Sequence, residues 1–151
     1  MLKLLVDGAR RAPLRVLCLG AHCDDIEIGC GGAILTLTNR CAATEIHWVV
    51  FAAHGTRRVE AQKAASLFTA GGTLKGADFK EFRDSFLPYH GGEVKAVFED
   101  LKEKVNPDLI FTQYGHDAHQ DHRLLAELTW NTWRDHLILE YEIPKYDGDL
   151  G

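Results

Sequence analysis

Two short polar segments carry the residues whose types and spacing could do chemistry. The first is Ala21-His22-Cys23-Asp24-Asp25-Ile26-Glu27-Ile28-Gly29-Cys30-Gly31-Gly32, and the second is Asp117-Ala118-His119-Gln120-Asp121-His122. At the start of a helical turn, the spacing of His22 and Asp25 lets both side chains reach one point. Imidazole and carboxylate on one point make a metal-ligand pair. A lone Asp at a helix start is ordinarily a cap or a dipole partner. The second segment shifts that balance, because it also follows an apolar run. With His122 as third ligand, two imidazoles and one carboxylate leave an open position on a tetrahedral Zn²⁺. Water there becomes acidic, with a pKa near ~7 in zinc sites of this kind. Asp24, lying between the first two ligands, aims elsewhere and is the candidate general base. His119, one helical turn before His122, is the candidate for holding an oxyanion or protonating a leaving amine. Asp121 reads best as an acceptor that orients one of the histidines. A purely structural zinc would call for four ligands, usually rich in thiolate.

The elements that must position these residues alternate. A short apolar strand is expected at residues 15–20, then a helix from Asp24 or Asp25 to about Arg40. Gly29, Gly31 and Gly32 inside that helix each cost ~1 kcal/mol against Ala, so something comes close to them. A second strand follows at 46–51, with His47 as a packed histidine, and a helix at 57–70 that Gly71-Gly72 stops. A weak third strand is expected at 78–82, a loop with Asp84 at 83–92 and a helix at 93–105 ended by Pro107. A fourth strand at 109–112, a loop at 113–117, a helix to about Asp135 and a fifth strand at 137–141 complete the series. This order predicts a Rossmann-like α/β fold, a mostly parallel sheet with helices on both faces. Ligands then lie beyond the carboxyl ends of the strands. The polar segments 22–25, 54–57, 84 and 117–122 each follow a strand, so all four fall on one rim.

The 151 residues suffice for a single domain with its own core. A net charge of -5 disfavours nucleic acid or an anionic membrane as partner. No apolar run approaches the ~20 residues of a membrane span, and the first residues are too weakly apolar for a signal peptide. A cytoplasmic protein is the default expectation, and nothing excludes a homo-oligomer. Cys18, Cys23, Cys30 and Cys41 form no C-x-x-C pair. They read as packed thiols, Cys23 least readily because it sits inside the first polar segment. His116 and His136 read as ordinary surface histidines.

The pattern Ala21-His22-x-Asp24-Asp25-x-Glu27-x-Gly29-x-Gly31-Gly32 with His119-x-Asp121-His122 resembles the LmbE-like, or PIG-L, deacetylases. The likeness runs from about Arg15 to the end of the chain and takes in Arg57-x-x-Glu60 and Asp84. It implies a zinc-dependent enzyme that removes an acetyl group from an N-acetylglucosamine-type sugar, with Fe²⁺ or Co²⁺ accepted by the same ligands. It further implies His22, Asp25 and His122 as metal ligands, Asp24 as base and His119 as stabiliser of the tetrahedral intermediate. Arg57 and Asp84 match positions that bind the sugar or phosphate groups of the substrate. Two departures stand out. Cys23 replaces a proline that would stiffen the turn. Family domains also continue past the point reached by Asp147-Gly148-Asp149-Leu150-Gly151, with a segment that walls the cleft.

Three other readings compete. A facial triad of two histidines and a carboxylate also serves Fe²⁺ oxygenases. A nucleotide-binding module is suggested by the glycines, but Ile34 stands where G-x-G-x-x-G needs its third glycine. A metal-bound but catalytically silent binding or assembly domain remains the third.

Overall fold

Residues 13–41 and 43–144 are described in this computed structural model. The first residues, weighed above for a signal peptide, and residues 147–151 lie outside them. Strand β1 (Leu14–His22) is buried almost throughout and leads into α1 (Asp25–Arg40) through Cys23 and Asp24 alone. Then follow β2 (Thr44–Ala52), α2 (Gly55–Phe68), β3 (Thr73–Phe79), a single 3₁₀ turn at Leu87–His90 and α3 (Gly91–Lys104). Strand β4 (Leu109–Gln113), α4 (Gln120–Thr132) and β5 (Leu137–Tyr141) complete the fold. The five strands form one sheet in the order β3-β2-β1-β4-β5, and every pair in it is parallel. The expected α/β architecture holds.

Alternate residues of β1 feed two cores. Val16 and Cys18 join Ile26, Cys30 and Ile34 of α1 and Ala61 and Ala65 of α2. Leu17 and Leu19 join Val94, Phe98 and Leu101 of α3 and Leu125 of α4. A strand buried on both faces has to be apolar at nearly every position, and that is how residues 16–19 read. Among the described residues, no helix is long and apolar enough to cross a membrane.

One element is misplaced by the sequence reading. The third strand runs over Thr73–Phe79 where 78–82 was expected; past its end Lys80 and Phe82 donate to the Val50 and Phe51 carbonyls, and Glu81 forms an isolated antiparallel bridge to Ala52. Strand β3 is an edge strand of mixed exposure, so it lacks the buried apolar run that marks β1, β2 and β4. Its register also shifts opposite Ile46/His47, leaving Lys75 outside the ladder.

Two of the three α1 glycines, Gly29 and Gly31, allow close approach as expected, and Gly32 does not. A Cβ on Gly29 would lie 2.0 Å from the ring of Tyr141, and one on Gly31 would lie 2.5 Å from Phe68. Tyr141 cannot easily yield, since it is buried and its hydroxyl donates to the Leu19 carbonyl at 2.6 Å. Gly29→Ala is therefore expected to destabilise the protein by about 1–3 kcal/mol through overpacking. Gly32, with nothing within 4 Å, is the control. Gly32→Ala should stabilise by up to ~1 kcal/mol through helix propensity. Denaturant unfolding of the two variants beside wild type reads both signs.

Candidate metal centre

The strand order reverses direction at β1, whose two neighbours β2 and β4 are reached by crossovers to opposite sides. A crevice opens at the carboxyl ends of strands at such a point. His22 is the last residue of β1, Gln113 the last of β4, and Asp25 the first of α1. The spacing that separates His22 from Asp25 is set by the two-residue β1–α1 turn.

Asp25 is fully buried. Its Oδ2 accepts from the His22 backbone N–H at 2.7 Å and from Gln113 Nε2 at 2.7 Å. The same oxygen lies 3.4 Å from His22 Nδ1 and 3.4 Å from His122 Nε2, and those two nitrogens are 3.2 Å apart. Oδ1 of Asp25 is buried with no hydrogen-bond partner. The other nitrogen of each imidazole faces carboxylate: His122 Nδ1 is 2.9 Å from Asp117 Oδ2, and His22 Nε2 is 3.2 Å from both Asp121 Oδ2 and Asp84 Oδ1. Carboxylates accept, so these outer nitrogens carry the N–H. The inner nitrogens are then bare, and two lone pairs and a carboxylate oxygen face one another with no proton among them. Such a set calls for a cation. The residues present therefore fit a divalent metal held by two imidazoles and a carboxylate, each imidazole backed by an oriented carboxylate.

The electrostatics agree. Burial disfavours charge on His22 and His122, but their contacts with Asp25 outweigh it and raise both above the ordinary imidazole value. Burial likewise pushes the Asp25 carboxyl up, and the two histidines more than reverse it, holding the group well below the usual carboxylate range. The centre attracts positive charge, whether proton or metal.

His119 joins the same centre. It caps α4, with Nδ1 accepting from the Asp121 backbone N–H at 3.2 Å, so Nε2 carries its proton. Its ring stacks on His122 and meets His22 edge-on, with both centroid distances 4.7 Å. Ring nitrogens of His22, His119 and His122 lie within 4.8 Å of one another, as do ligand atoms of His22, Asp84, His119 and Asp121. In this second group Asp84 and Asp121 stand at the outer nitrogen of His22.

Asp121 does more than orient His22. Fully buried, it also accepts the backbone N–H of Ser85 at 2.7 Å and of Leu87 at 3.1 Å. This clamps the loop that carries Asp84, whose Ser85 adopts a left-handed φ of 64°. Asp24 and Arg57 form a pair of their own on the rim, with Nη2 to Oδ2 at 2.9 Å and both side chains about half exposed. That ion pair was not evident in the sequence. Two further residues were missed altogether. Asp117, read as the end of a loop, holds His122 and also accepts the His119 backbone N–H at 2.7 Å. Gln113, read as the start of that loop, holds Asp25. The signal for Asp117 was its spacing before His122; for Gln113 it was a polar residue closing an apolar strand on the same rim. Cys23 is a packed thiol with its Sγ 3.7 Å from the Ala52 carbonyl, and burial pushes its pKa up. The nucleotide-module reading loses its motif, because Gly29 and Gly31 serve packing against Tyr141 and Phe68.

Residues 17–133 match the PIG-L family, described as GlcNAc-PI de-N-acetylase. The chain belongs to the PIG-L family. Among PIG-L-like sequences, the uncharacterized deacetylase YaiS of Escherichia coli K12 is 26% identical over 140 residues, covering 85% of this chain and 74% of that protein. Among solved structures, N,N'-diacetylchitobiose deacetylase of Pyrococcus horikoshii superposes with a TM-score of 0.61 at 25% identity, covering 80% of this chain. This PIG-L chain spans 49% of that structure's length. The conserved protein TT1542 of Thermus thermophilus shares the fold, with a TM-score of 0.67 at 19% identity over 89% of this chain and 69% of its own.

The hydrogen bond from His122 to Asp117 gives a direct check on the centre. Asp117→Ala is expected to weaken metal binding by about 10–100-fold, the usual loss when a carboxylate behind a metal-bound histidine is removed. Competition against a chromophoric chelator measures it.

Proposed function

We propose that this chain hydrolyses the acetamide of an N-acetylglucosamine-type sugar, releasing acetate and the free amine. The observation that carries the reading is the convergence of two imidazole nitrogens on the Asp25 carboxylate at the β1/β4 crevice in a PIG-L chain. His22, Asp25 and His122 would hold the metal, with Zn²⁺ preferred and Fe²⁺ or Co²⁺ able to use the same ligands. A bound divalent metal there supplies Lewis acidity, lowering the pKa of water and polarising a carbonyl.

The remaining work falls to protein groups. Asp24 pairs with Arg57 through Oδ2, which leaves Oδ1 to take the proton of the attacking water and pass it to the leaving amine. His119, protonated at Nε2, donates to the acetamide oxygen as negative charge gathers on it. Arg57 and Asp84, exposed on the rim, offer a donor fork and an acceptor to sugar hydroxyls or a phosphate. Asp121 serves by fixing His22 and the Asp84 loop.

The N-acetylated sugar class rests on the family description and on the chitobiose deacetylase, whose names both specify such a substrate. A silent assembly domain and an Fe²⁺ oxygenase are the readings to beat. Neither explains a base steadied by Arg57 and an N–H donor beside the centre.

Protein purified without chelator is expected to carry about one metal per chain, lost in His122→Ala. Asp24→Asn should keep the metal and lose about 10²–10⁴-fold in deacetylation of an N-acetylglucosaminide. His119→Ala should keep the metal and lose about 10²–10³-fold. Metal analysis beside amine-release kinetics separates these; a metal-loaded wild type with no activity on any N-acetylated sugar would favour the assembly reading.

A further inference from the structure

We infer that Gln113 is a positioning residue for Asp25, holding its carboxylate toward the imidazole pair without neutralising it. The inference rests on the reading of His22, Asp25 and His122 as metal ligands. Gln113 is fully buried at the carboxyl end of β4. Its Nε2 donates to Asp25 Oδ2 at 2.7 Å, while its Oε1 is buried with no partner. Leaving a buried carbonyl oxygen unpaired is costly, and an apolar side chain of the same size would avoid it. A residue there for packing alone would be Leu or Met. The donating half of the carboxamide is directed at one atom, and that atom belongs to a fully buried acid of the centre.

The placement matters as much as the bond. Oδ2 receives one donor from β1, the backbone of His22, and one from β4, the side chain of Gln113. The two strands are neighbours. Gln113 therefore ties Asp25 across the floor of the crevice, where the backbone donor alone would let the carboxylate swing about its Cβ. The choice of donor also matters. Arg or Lys could make the same bond, but would bring a full charge beside the cation site. A carboxamide fixes the geometry and leaves the negative charge of Asp25 for the metal.

The test is titration of metal-free protein with Co²⁺, read by its visible absorption, in wild type, Gln113→Met and Gln113→Leu. The expected result is binding weakened by about 10–100-fold in both variants, with thermal melting of the metal-free forms at or below wild type, because each leaves the buried Asp25 carboxylate one donor short. Affinity within about twofold of a wild type that does bind Co²⁺ would overturn the role of Gln113 and leave the metal reading intact. An unaltered Co²⁺ absorption band in both variants would also overturn it, because a ligand carboxylate that has lost its positioning donor changes the field at the metal. No uptake of Co²⁺ by wild type would refute the metal reading and this inference with it.

Discussion

A buried negative charge sets the terms for this end of the sheet. Asp25 is sealed from solvent, and an ionised carboxylate in that position is costly unless donors and counter-charge surround it. Its two firm donors are neutral, the backbone of His22 and the carboxamide of Gln113. Two imidazoles stand beside it, each with its outer N–H committed elsewhere. The balance is completed only by positive charge at the point they share. The two-residue β1–α1 turn, the glycine-lined helix that lets α1 press onto the sheet, and the histidine-bearing start of α4 all serve to bring that point into being.

Around this acid lies a second layer of acids with different work. Asp117 and Asp121 do not face the inner point; they face the backs of the histidines. Asp121 also takes two backbone N–H groups from the loop after β3, so one carboxylate ties the aim of His22 to the position of Asp84. A change in that loop would be felt at the ring of His22, and the reverse. The coupling runs through a single buried side chain, which makes Asp121 a residue whose loss would disturb ligand geometry and rim together.

What could be read from the sequence follows a physical rule. Strands β1, β2, β4 and β5 were legible because burial on both faces, or in a short apolar run, is a local property of composition. The amphipathic helices were legible through their 3.6-residue period. Strand β3 was misplaced because an edge strand half in water has no such run. The inner histidines and aspartates stood out because ligand types at helical spacing are rare by chance. Gln113 and the Asp24–Arg57 pair did not stand out, since their meaning lies in contacts across the fold: Gln113 meets an acid 88 residues away. Asp117 falls between, close in sequence to His122 but orienting it only once the loop and the start of α4 have closed on each other.

Burial also divides the labour of the site. Asp25, Asp121 and His122 are all but inaccessible, and His22 is 8% exposed. Asp24, Arg57 and Asp84 are 43%, 57% and 70% exposed at their side chains. The groups that packing holds still are the proposed ligands and their supports; the groups proposed to meet a substrate are left in water, where their charges are screened and cost little. His119 sits at the boundary, its ring packed against both inner histidines and its Nδ1 tied to the backbone of Asp121. Its ring is thus set by the frozen layer, while the proposed mechanism gives its Nε2 to the substrate. That is the arrangement expected of a donor whose direction must be fixed before the charge it will stabilise has formed.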